Sequence, residues 1–365
     1  MQDFIALALS LAQQSLLLSS PNPHVGCAIT SAGGQLLGQG FTQRAGGAHA
    51  EIMALRDAQA QGHSLIGATA YVTLEPCSHQ GRTGPCCDAL IAAGVKKVVA
   101  SLADPNPLVG GQGFARLRSA GVEVEVGPGA AQSRELNIGF FSRMLRHRPW
   151  VRLKLAASLD GKTALDNGAS QWITSEAART DGHAWRARSC AVLTGIGTVL
   201  TDDPRLDVRL VPTERQPRLV VLDNRLETPL GAKLFTVQRA CHIYTTSQDA
   251  ARRAALEAHG ARVCHLPGTD QRVDLAAMLR DLAEHEINEL HVEAGAALNG
   301  ALLAAGLVDE IVLYMAPKMI GRGRDMASFG PLSALSEALA LELISSDRIG
   351  PDLRIVARMA GSDHF

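Results

Sequence analysis

Apolar residues along the first part of the chain recur with two different periods, which predicts short strands alternating with amphipathic helices. At the start, Phe4, Leu7, Leu11 and Leu18 lie at helical spacing, which predicts one buried helix face. Turn residues such as Gly33-Gly34 separate the apolar runs. We therefore predict helices over 3–19, 49–61, 86–93, 114–120 and 131–146, and strands over 25–30, 35–39, 70–74, 95–101 and 122–126.

A polar segment with a proline, from Arg146 to Trp150, interrupts this pattern, and a new apolar strand follows it. We place a domain boundary there, which gives a first domain over 1–146 and a second over 147–365. The second domain again alternates strands and helices, which is typical of an α/β sheet with helices on its faces. Its predicted strands are 151–156, 191–194, 218–222, 241–245, 262–266, 289–293, 310–315 and 353–358, with helices near 175–188, 249–259, 274–285 and 297–305.

Composition agrees with two ordinary globular domains and narrows the classes of partner. The 365 residues exceed the size at which a single core usually stops growing, and hydrophobic residues make up 46% of them. The formal net charge is −1 and no run is rich in lysine and arginine, so we expect no nucleic-acid partner. No apolar stretch is long enough to span a bilayer, so we expect no membrane partner either.

The N-terminal segment and the cysteine content indicate a cytoplasmic protein. Residues 1–20 include Leu16-Leu17-Leu18, but they carry Asp3 and lack the basic start of a signal peptide. Seven cysteines without a secretion signal fit a reducing compartment. Four of them lie in apolar, strand-like surroundings and are expected in the cores: Cys27, Cys190, Cys241 and Cys264.

His49-Ala50-Glu51, Pro76-Cys77 and Cys86 together carry the chemistry of a metal site. One imidazole and two thiolates can hold Zn²⁺ and leave its fourth position open, as catalytic zinc sites do. The order of these residues is that of zinc-dependent base deaminases, in which the glutamate moves protons and does not bind the metal. We therefore expect His49, Cys77 and Cys86 to bind zinc and Glu51 to act as general base and then acid. The spacer of eight residues between the two cysteines exceeds the two of the general signature.

Each of these residues alone has a plainer interpretation, as part of a structural zinc site or as an unrelated buried side chain. Structural zinc usually has four protein ligands, and it does not need a carboxylate such as Glu51. Cys86 follows Pro85 at a predicted helix start, where the macrodipole lowers the pKa of a thiol. Cys87 is the competing ligand, and we expect it to be a small buried residue of that helix.

Outside the metal ligands, the residue patterns leave two alternatives open. His79 and Arg82, in the loop between the ligand cysteines, are either solvated polar residues or substrate contacts. Gly195-Ile196-Gly197 follows a predicted strand, but Leu200 stands where a dinucleotide-binding fingerprint has its third glycine. The spacing therefore leaves nucleotide binding and a simple tight turn equally open there.

Stretches in both halves of the chain carry a resemblance to one known family. They are Pro21–Gly26, Thr73–Cys86 and Asp104–Pro107 in the first half, and Lys154–Lys162, Ser170–Thr174, Thr198–Leu206 and Val292–Gly295 in the second. Together they resemble the bifunctional deaminase/reductases of riboflavin biosynthesis, in which the eight-residue spacer is the usual one. Two positions depart from the family pattern: Gly84 and Ala48, the residue before His49, each stand where the family commonly has proline. Both departures lie beside ligands and not on them.

The resemblance implies a cytidine-deaminase-like three-layer α/β domain followed by a dihydrofolate-reductase-like domain that uses NADPH. It implies cofactor contacts from Ala156, Trp172, Thr198, Asp202, Asn224 and Gly295. It implies substrate contacts from Asn22, His79 and Arg82 in the first domain, and from Ser170, Arg186, Leu206, Arg209 and Glu293 in the second. Guanidinium groups match phosphate geometry, so Arg186 and Arg209 are expected to form a phosphate fork, with a surface ion pair as the plainer alternative. Ala296 replaces a common family proline after Gly295.

The function that the resemblance implies is two consecutive steps of riboflavin synthesis. The first domain would deaminate 2,5-diamino-6-ribosylamino-4(3H)-pyrimidinone 5′-phosphate, and the second would reduce the ribosyl chain to ribityl with hydride from NADPH. The alternatives are a nucleoside or tRNA deaminase with an unrelated second domain, and a binding module with structural zinc. We expect Zn²⁺ and NADPH as cofactors, a small-molecule substrate and a possible homo-oligomer.

Overall fold

The computed structural model describes residues 3–79, 84–107 and 109–365. The chain divides into two compact units, residues 1–147 together with 365, and residues 148–364. The division falls one residue beyond the boundary that we placed after Arg146. Arg82, one of the expected substrate contacts, lies outside the described residues.

The described part of the first unit is built around one mixed sheet. Its strands are β1 (Gly26–Thr30), β2 (Leu36–Phe41), β3 (Thr69–Val72), β4 (Lys97–Ala100) and β5 (Glu123–Val126), in the order β2-β1-β3-β4-β5. Strand β1 is antiparallel to both neighbours, whereas β3, β4 and β5 run parallel. The helices are α1 (Phe4–Gln14), α2 (Ala50–Ala60), α3 (Cys86–Ala92), α4 (Gln112–Ser119), α5 (Ala130–Leu136) and α6 (Ile138–Arg146).

Two glycines show that helices cover both faces of this sheet. A Cβ at Gly26 would lie 1.9 Å from the carbonyl oxygen of Ala8 in α1, and one at Gly40 would lie 2.4 Å from the Cβ of Met53 in α2. Gly40 is paired with Cys27, the neighbour of Gly26, and neighbouring strand residues point to opposite faces. Helices α1 and α2 therefore pack on opposite faces, which gives three layers. Only glycine allows such a close approach of a helix to the strands.

Two helices of this unit differ from the prediction for a local reason. Helix α1 ends at Gln14 instead of continuing to 19, and the Ser15 hydroxyl donates to the carbonyl of Ala12 over 2.7 Å at this end. The helix predicted over 131–146 is two helices that meet at Asn137. The Asn137 side chain accepts from the backbone N–H of His24 and donates to its carbonyl, at 2.7 and 2.9 Å. A long-range bond of this kind cannot be read from helical periodicity.

The second unit contains a nine-stranded sheet in the order β11-β10-β9-β8-β12-β6-β13-β16-β15. The strands from β11 to β13 run parallel, and β16 and β15 continue the sheet antiparallel. The strands are β6 (Trp150–Ser158), β7 (Lys162–Leu165), β8 (Ala191–Gly195), β9 (Arg218–Leu222), β10 (Cys241–Thr245), β11 (Ala261–His265), β12 (Glu289–Val292), β13 (Glu310–Ala316), β14 (Gly323–Asp325), β15 (Leu341–Ile349) and β16 (Asp352–Met359). The helices are α7 (Glu176–Arg188), α8 (Ile196–Asp202), α9 (Ala250–Ala258), α10 (Leu275–Glu284) and α11 (Ala296–Ala304).

Three strands and one helix of this unit are absent from the predicted set. Strands β7 and β14 are short and pair only with each other. Strand β15 lies at the sheet edge, and most of its residues are exposed, so it has no buried apolar run to reveal it. Helix α8 begins directly after Gly195, in the segment for which the sequence left nucleotide binding and a tight turn equally open.

Candidate metal centre and candidate cofactor cavity

The starts of α2 and α3 and the loop between β3 and α3 converge on one point in the first unit. His49 is the N-cap residue of α2, Cys86 is the first residue of α3, and Cys77 follows β3 in the loop that leads to α3. The Nδ1 atom of His49 lies 3.6 Å from the Sγ atom of Cys77 and 3.4 Å from that of Cys86. All three ligand atoms lie within 4.8 Å of one another. Among the described residues, this is the group of histidine, cysteine and carboxylate side chains that could hold a metal ion.

Hydrogen bonding inside this group separates the pKa values of the two thiols. A hydrogen bond with Cys86 is the main cause that lowers the pKa of Cys77 to about 4, and the same partnership raises the pKa of Cys86. The backbone N–H of Cys86, at the start of α3, also donates to the Cys77 sulfur over 3.3 Å. The helix start thus favours the thiolate form of Cys77, which is the form that binds metals.

The Glu51 carboxyl group lies in the first turn of α2, beside the three ligand atoms. Its side chain is 4% exposed and makes a hydrogen bond with the Cys86 thiol. Burial raises the pKa of Glu51 to about 7, and the charge of Cys77 adds to the rise. The carboxyl group is therefore held close to the candidate metal position without being one of the three grouped ligands.

Cys87, the alternative ligand, is turned away from this group. Its buried sulfur donates to the carbonyl oxygens of Pro76 at 3.0 Å and Gly113 at 3.5 Å. Burial raises the pKa of Cys87 to about 12, so its thiol is poorly suited to lose a proton. The structure thus brings Cys86, and not Cys87, next to His49.

The two expected substrate contacts of the first unit that the structure describes, Asn22 and His79, lie in loops. Asn22 is half-buried in the loop before β1, which the Asn137 side chain anchors through the backbone of His24. His79 is exposed and follows Cys77 by two residues. Of the two departures from the family pattern, Gly84 is exposed, and Ala48 accepts a backbone hydrogen bond from Gln43 over 3.0 Å.

Sequence reasoning missed Glu75, which fixes the loop beside Cys77. Its buried carboxylate accepts four backbone N–H groups, from Asp104, Gly111, Gly113 and Phe114, at 2.8 to 3.2 Å. Burying a carboxylate without such partners is costly, so the four bonds hold Asp104 and residues 111–114 against the segment that carries Pro76. A charged residue between a buried strand and the Pro-Cys pair is the signal that could have revealed it.

The second unit has a cavity of about 920 Å³ at the carboxyl ends of its parallel strands. Ligands of open α/β sheets bind at this edge. Nine of the expected contacts line it: Ala156, Thr198, Asp202, Asn224 and Gly295 from the cofactor set, and Ser170, Arg186, Leu206 and Glu293 from the substrate set. Gly195 ends β8 beside it, and Ile196 begins α8. The Gly195-Ile196-Gly197 segment, for which nucleotide binding and a tight turn were equally open, is a strand-to-helix junction on the cavity.

Two of the expected contacts do not line this cavity. Trp172 is 61% exposed, and the guanidinium of Arg179 lies over its ring at 4.4 Å. Arg209 bonds the carboxylate of Asp207 over 2.5 Å. The two arginines that were expected to bind a phosphate therefore both donate hydrogen bonds to Asp207 in this structure. Arg186 bonds its carbonyl oxygen over 2.9 Å.

A buried ion pair lies on the wall of this cavity. The guanidinium of Arg186 bonds both carboxylate oxygens of Glu293, with 2.8 Å between Nη2 and Oε2. Burial raises the pKa of Glu293, but the charge and hydrogen bonds of Arg186 outweigh it and hold that pKa well below its usual range. Lys154, which sequence reasoning left out of the site, places its Nζ atom 3.9 Å from the same carboxylate. A lysine inside a largely apolar central strand is the signal for it.

The folds and the two sites define a class of protein, a zinc-binding deaminase domain joined to a reductase domain. Residues 1–102 match the family model of the cytidine and deoxycytidylate deaminase zinc-binding region, and residues 149–355 match that of the RibD C-terminal domain. The chain belongs to the RibD family of riboflavin biosynthesis proteins. It is a bifunctional enzyme, a deaminase and a reductase, and this family uses zinc and NADPH.

Relatives and solved structures cover the chain almost completely. The riboflavin biosynthesis protein RibD of Escherichia coli K12 is 43% identical and aligns with 97% of this chain and 98% of its own. That of Aquifex aeolicus is 42% identical, with 97% of each chain covered. The structure of Acinetobacter baumannii RibD superposes with a TM-score of 0.89 at 40% identity, covering 98% of both chains. The expected fold class of both domains is thereby confirmed.

A second similar solved structure is of a protein whose name includes both a deaminase and a reductase activity. It is a diaminohydroxyphosphoribosylaminopyrimidine deaminase/5-amino-6-(5-phosphoribosylamino)uracil reductase from Thermotoga maritima, with a TM-score of 0.87, 33% identity and 98% coverage of both chains.

Within the part of this chain that the structure describes, no helix has the length and apolar character needed to cross a membrane.

Proposed function

We propose that the first domain hydrolyses the 2-amino group of 2,5-diamino-6-ribosylamino-4(3H)-pyrimidinone 5′-phosphate. The second domain then reduces the ribosyl chain of the product, 5-amino-6-(5-phosphoribosylamino)uracil, to ribityl. The observation that carries the proposal is the convergence of His49, Cys77 and Cys86 within 4.8 Å beside the buried Glu51. The activities named for the Thermotoga maritima relative support the choice of substrate.

The donor set of the first domain fits zinc. Two sulfurs and one imidazole nitrogen are ligands that zinc prefers, and three protein ligands leave one position open for chemistry. We assign these three positions to His49, Cys77 and Cys86. When bound there, zinc would supply Lewis acidity that lowers the pKa of water toward neutrality, so that a hydroxide nucleophile is available near neutral pH.

Glu51 moves the protons of this hydrolysis. It accepts the proton that the attacking water loses when the new C–O bond forms, and it passes that proton to the ring nitrogen. When the C–N bond breaks, Glu51 takes the second water proton from the new hydroxyl group as it becomes a carbonyl. It delivers this proton to the departing amino group, which leaves as ammonia. Burial excludes bulk water from the carboxyl group. Asn22, His79 and Arg82 are the side chains that we assign to the substrate.

The cavity of the second domain fits an extended dinucleotide. Gly295 precedes α11, and a Cβ there would project to within 4.0 Å of the Thr198 hydroxyl, across the cavity. The first N–H groups of α11 have no partner within the helix and suit a pyrophosphate. We assign NADPH to Ala156, Thr198, Asp202, Asn224 and Gly295, which line the cavity. NADPH supplies the hydride, and the protein orients its nicotinamide.

The substrate of the second domain is assigned to the side where Ser170, Leu206 and the Arg186–Glu293 pair line the cavity. Glu293 keeps its negative charge there, so it can accept hydrogen bonds from sugar hydroxyl groups. Arg186 lies within reach of both Glu293 and the loop that carries Arg209. A phosphate bound to these arginines would take the place that the Asp207 oxygens hold.

We expect chelation to separate the two activities. With the diaminopyrimidinone phosphate, the enzyme should release ammonia and then oxidise NADPH. A zinc chelator should abolish ammonia release, because the three ligands then have no metal to position. NADPH oxidation with the deaminated substrate should continue, and added zinc should restore ammonia release. Ammonia release that resists chelation would contradict the zinc assignment, and activity on cytidine or tRNA alone would favour the alternative deaminases.

We infer that the protein works in the cytoplasm. All seven cysteines are free thiols, and three of the four expected in cores are buried, with Cys264 half-buried. Free thiols persist in reducing compartments.

We also propose that the reductase domain forms a homo-oligomer through β15. This edge strand presents Leu341, Leu343 and Ile344 to solvent, and Leu343 is 74% exposed. The preceding segment adds Leu335, which is 92% exposed. Exposed apolar edges of this kind usually mark an interface or an aggregation hazard, and a second copy of the same strand is complementary to it.

Leu343→Lys should therefore weaken self-association. A twofold interface contains the substitution twice, so the dissociation constant should rise by about 100-fold or more. Sedimentation velocity over a range of concentrations measures this. Ile66→Lys is the matched control, because Ile66 is 85% exposed in the first domain. A wild-type protein that is monomeric at micromolar concentration would contradict the proposal.

A further inference from the structure

The cationic side chains of the reductase cavity are distributed unevenly. Among the described residues that line it, they are Lys154, Arg186, Arg272 and Arg324. Lys154, in the middle of β6, and Arg186, on α7, both face Glu293, which directly follows β12. Arg324 lies on β14, which pairs with β7, the strand that follows β6. These three therefore belong to the β6 side of the cavity, and Arg272 alone among them lies elsewhere.

Arg272 lies on a hairpin that is fastened to the opposite side. Pro267 and Val273 pair across this hairpin after β11. The N–H of Val273 donates to the Oδ1 atom of Asn224 over 3.1 Å, two residues beyond the end of β9. The hydroxyl of Thr246, just after β10, donates to the carbonyl of Gln271 over 3.1 Å. These bonds place Arg272 at the β9 and β10 ends, about 14 Å from β6 at ordinary strand spacing.

The orientation of NADPH follows from where its substrate binds. The nicotinamide must meet the sugar beside Glu293, so the adenosine end extends toward β9. The ribose of that adenosine carries the 2′-phosphate, which is the only group that distinguishes NADPH from NADH. We propose that Arg272 binds this 2′-phosphate and makes the reductase selective for NADPH. The proposal rests on the proposed function, in which NADPH occupies this cavity.

The surroundings of Arg272 suit this role. Its Nε atom lies 3.7 Å from the Oδ2 atom of Asp270, and the two side chains are 72% and 66% exposed. A pair that is long and exposed is weak, so the guanidinium can turn to a dianionic phosphate, whose geometry it matches. Arginine near the ribose accommodates the 2′-phosphate in other dinucleotide sites. Asp270 competes for the same guanidinium and repels the phosphate.

Binding of adenosine fragments tests the proposal without catalysis. Calorimetry would compare adenosine 2′,5′-bisphosphate with 5′-AMP, and NADPH with NADH, on the full-length protein. The wild type should favour the 2′-phosphorylated ligand by about tenfold or more, as expected for one charge-assisted contact. Arg272→Ala should reduce this preference to near unity by weakening only the 2′-phosphorylated ligand. Asp270→Asn should raise the preference about twofold to threefold, because it removes a competing charge.

Arg324→Ala is the matched control, since it removes a cavity arginine from the β6 side and should leave the preference unchanged. Arg272→Lys should keep part of the preference, and raised salt should reduce it in the wild type. An Arg272→Ala protein that retains the full preference would overturn the selectivity role alone. A wild type that binds neither NADPH nor the fragments would overturn the assignment of the cavity, and this inference with it.

Discussion

Replacing Glu51 with glutamine should lower the rate of ammonia release by about 10²- to 10⁴-fold, the usual contribution of a positioned acid-base group. Glutamine has nearly the same shape as glutamate, but it cannot accept the proton of the attacking water. The side chain is 4% exposed, so bulk water is poorly placed to replace it. Oxidation of NADPH with the deaminated substrate should keep its wild-type rate, because the second domain carries its own site.

The zinc content of the Glu51→Gln protein separates this role from a structural one. Glu51 is not among the three grouped ligands, so elemental analysis should still find about one zinc ion per chain. Glu123→Gln, an exposed carboxylate on β5, is the control and should retain full ammonia release. If Glu51→Gln released ammonia at the wild-type rate with zinc bound, the proton-transfer role would be wrong. If it lost the zinc, Glu51 would be part of the metal centre itself.

The grouping of His49, Cys77 and Cys86 at the candidate metal centre was largely predictable, because His49 and Cys86 lie at helix starts, which local sequence marks well. Pro85 before Cys86 and the apolar spacing after His49 indicate where α3 and α2 begin. Glu75 escaped prediction because its function depends on residues 104–114, which lie far away in the sequence. Asn137 interrupts a predicted helix for the same reason, since its partner is His24. Long-range hydrogen bonds leave little trace in periodicity.

The reductase cavity was less predictable from residues alone, because its walls come from the ends of strands distant in the chain. The glycine spacing around Gly195 left a tight turn as an equal alternative to nucleotide binding, and the structure shows that α8 begins there beside the cavity. Nine of the eleven second-domain contacts that the family resemblance implies line the cavity, but Trp172 and Arg209 lie off its wall. Arg272 lies in a hairpin outside the matching stretches, so only the folded structure brings it beside Asn224.

Replacing Glu293 with glutamine should damage the second domain in two measurable ways. It removes the negative charge that Arg186 and Lys154 face, while the shape of the side chain is kept. Breaking a largely buried ion pair by removing one partner is costly, so the free energy of unfolding should fall by about 3 kcal/mol. Reduction of the deaminated substrate should slow by roughly 10- to 100-fold, as expected for the loss of a charged hydrogen-bond acceptor. Ammonia release should be unchanged.

The pH dependence of this loss identifies its electrostatic origin. The folded-state pKa of Glu293 lies below its unfolded value, because Arg186 outweighs the effect of burial. Its stabilising contribution is therefore present above the unfolded pKa of about 4.3 and is lost as pH falls from there through the folded pKa. The difference in unfolding free energy between the wild type and Glu293→Gln should accordingly shrink below about pH 4.3. Lys154 and Arg186 stay charged throughout that range.

An exposed arginine–glutamate ion pair on α9 serves as the control for the buried Arg186–Glu293 pair. Glu257 bonds the Nε atom of Arg253 over 2.9 Å on the surface of α9, where the side chains are 43% and 50% exposed. Glu257→Gln should cost less than about 0.5 kcal/mol, because solvent screens an i,i+4 surface pair, and both activities should persist. Chemical denaturation at several pH values measures both variants. Equal losses for Glu293→Gln and Glu257→Gln would contradict the buried-pair argument, and a normal reduction rate in Glu293→Gln would remove Glu293 from the substrate site.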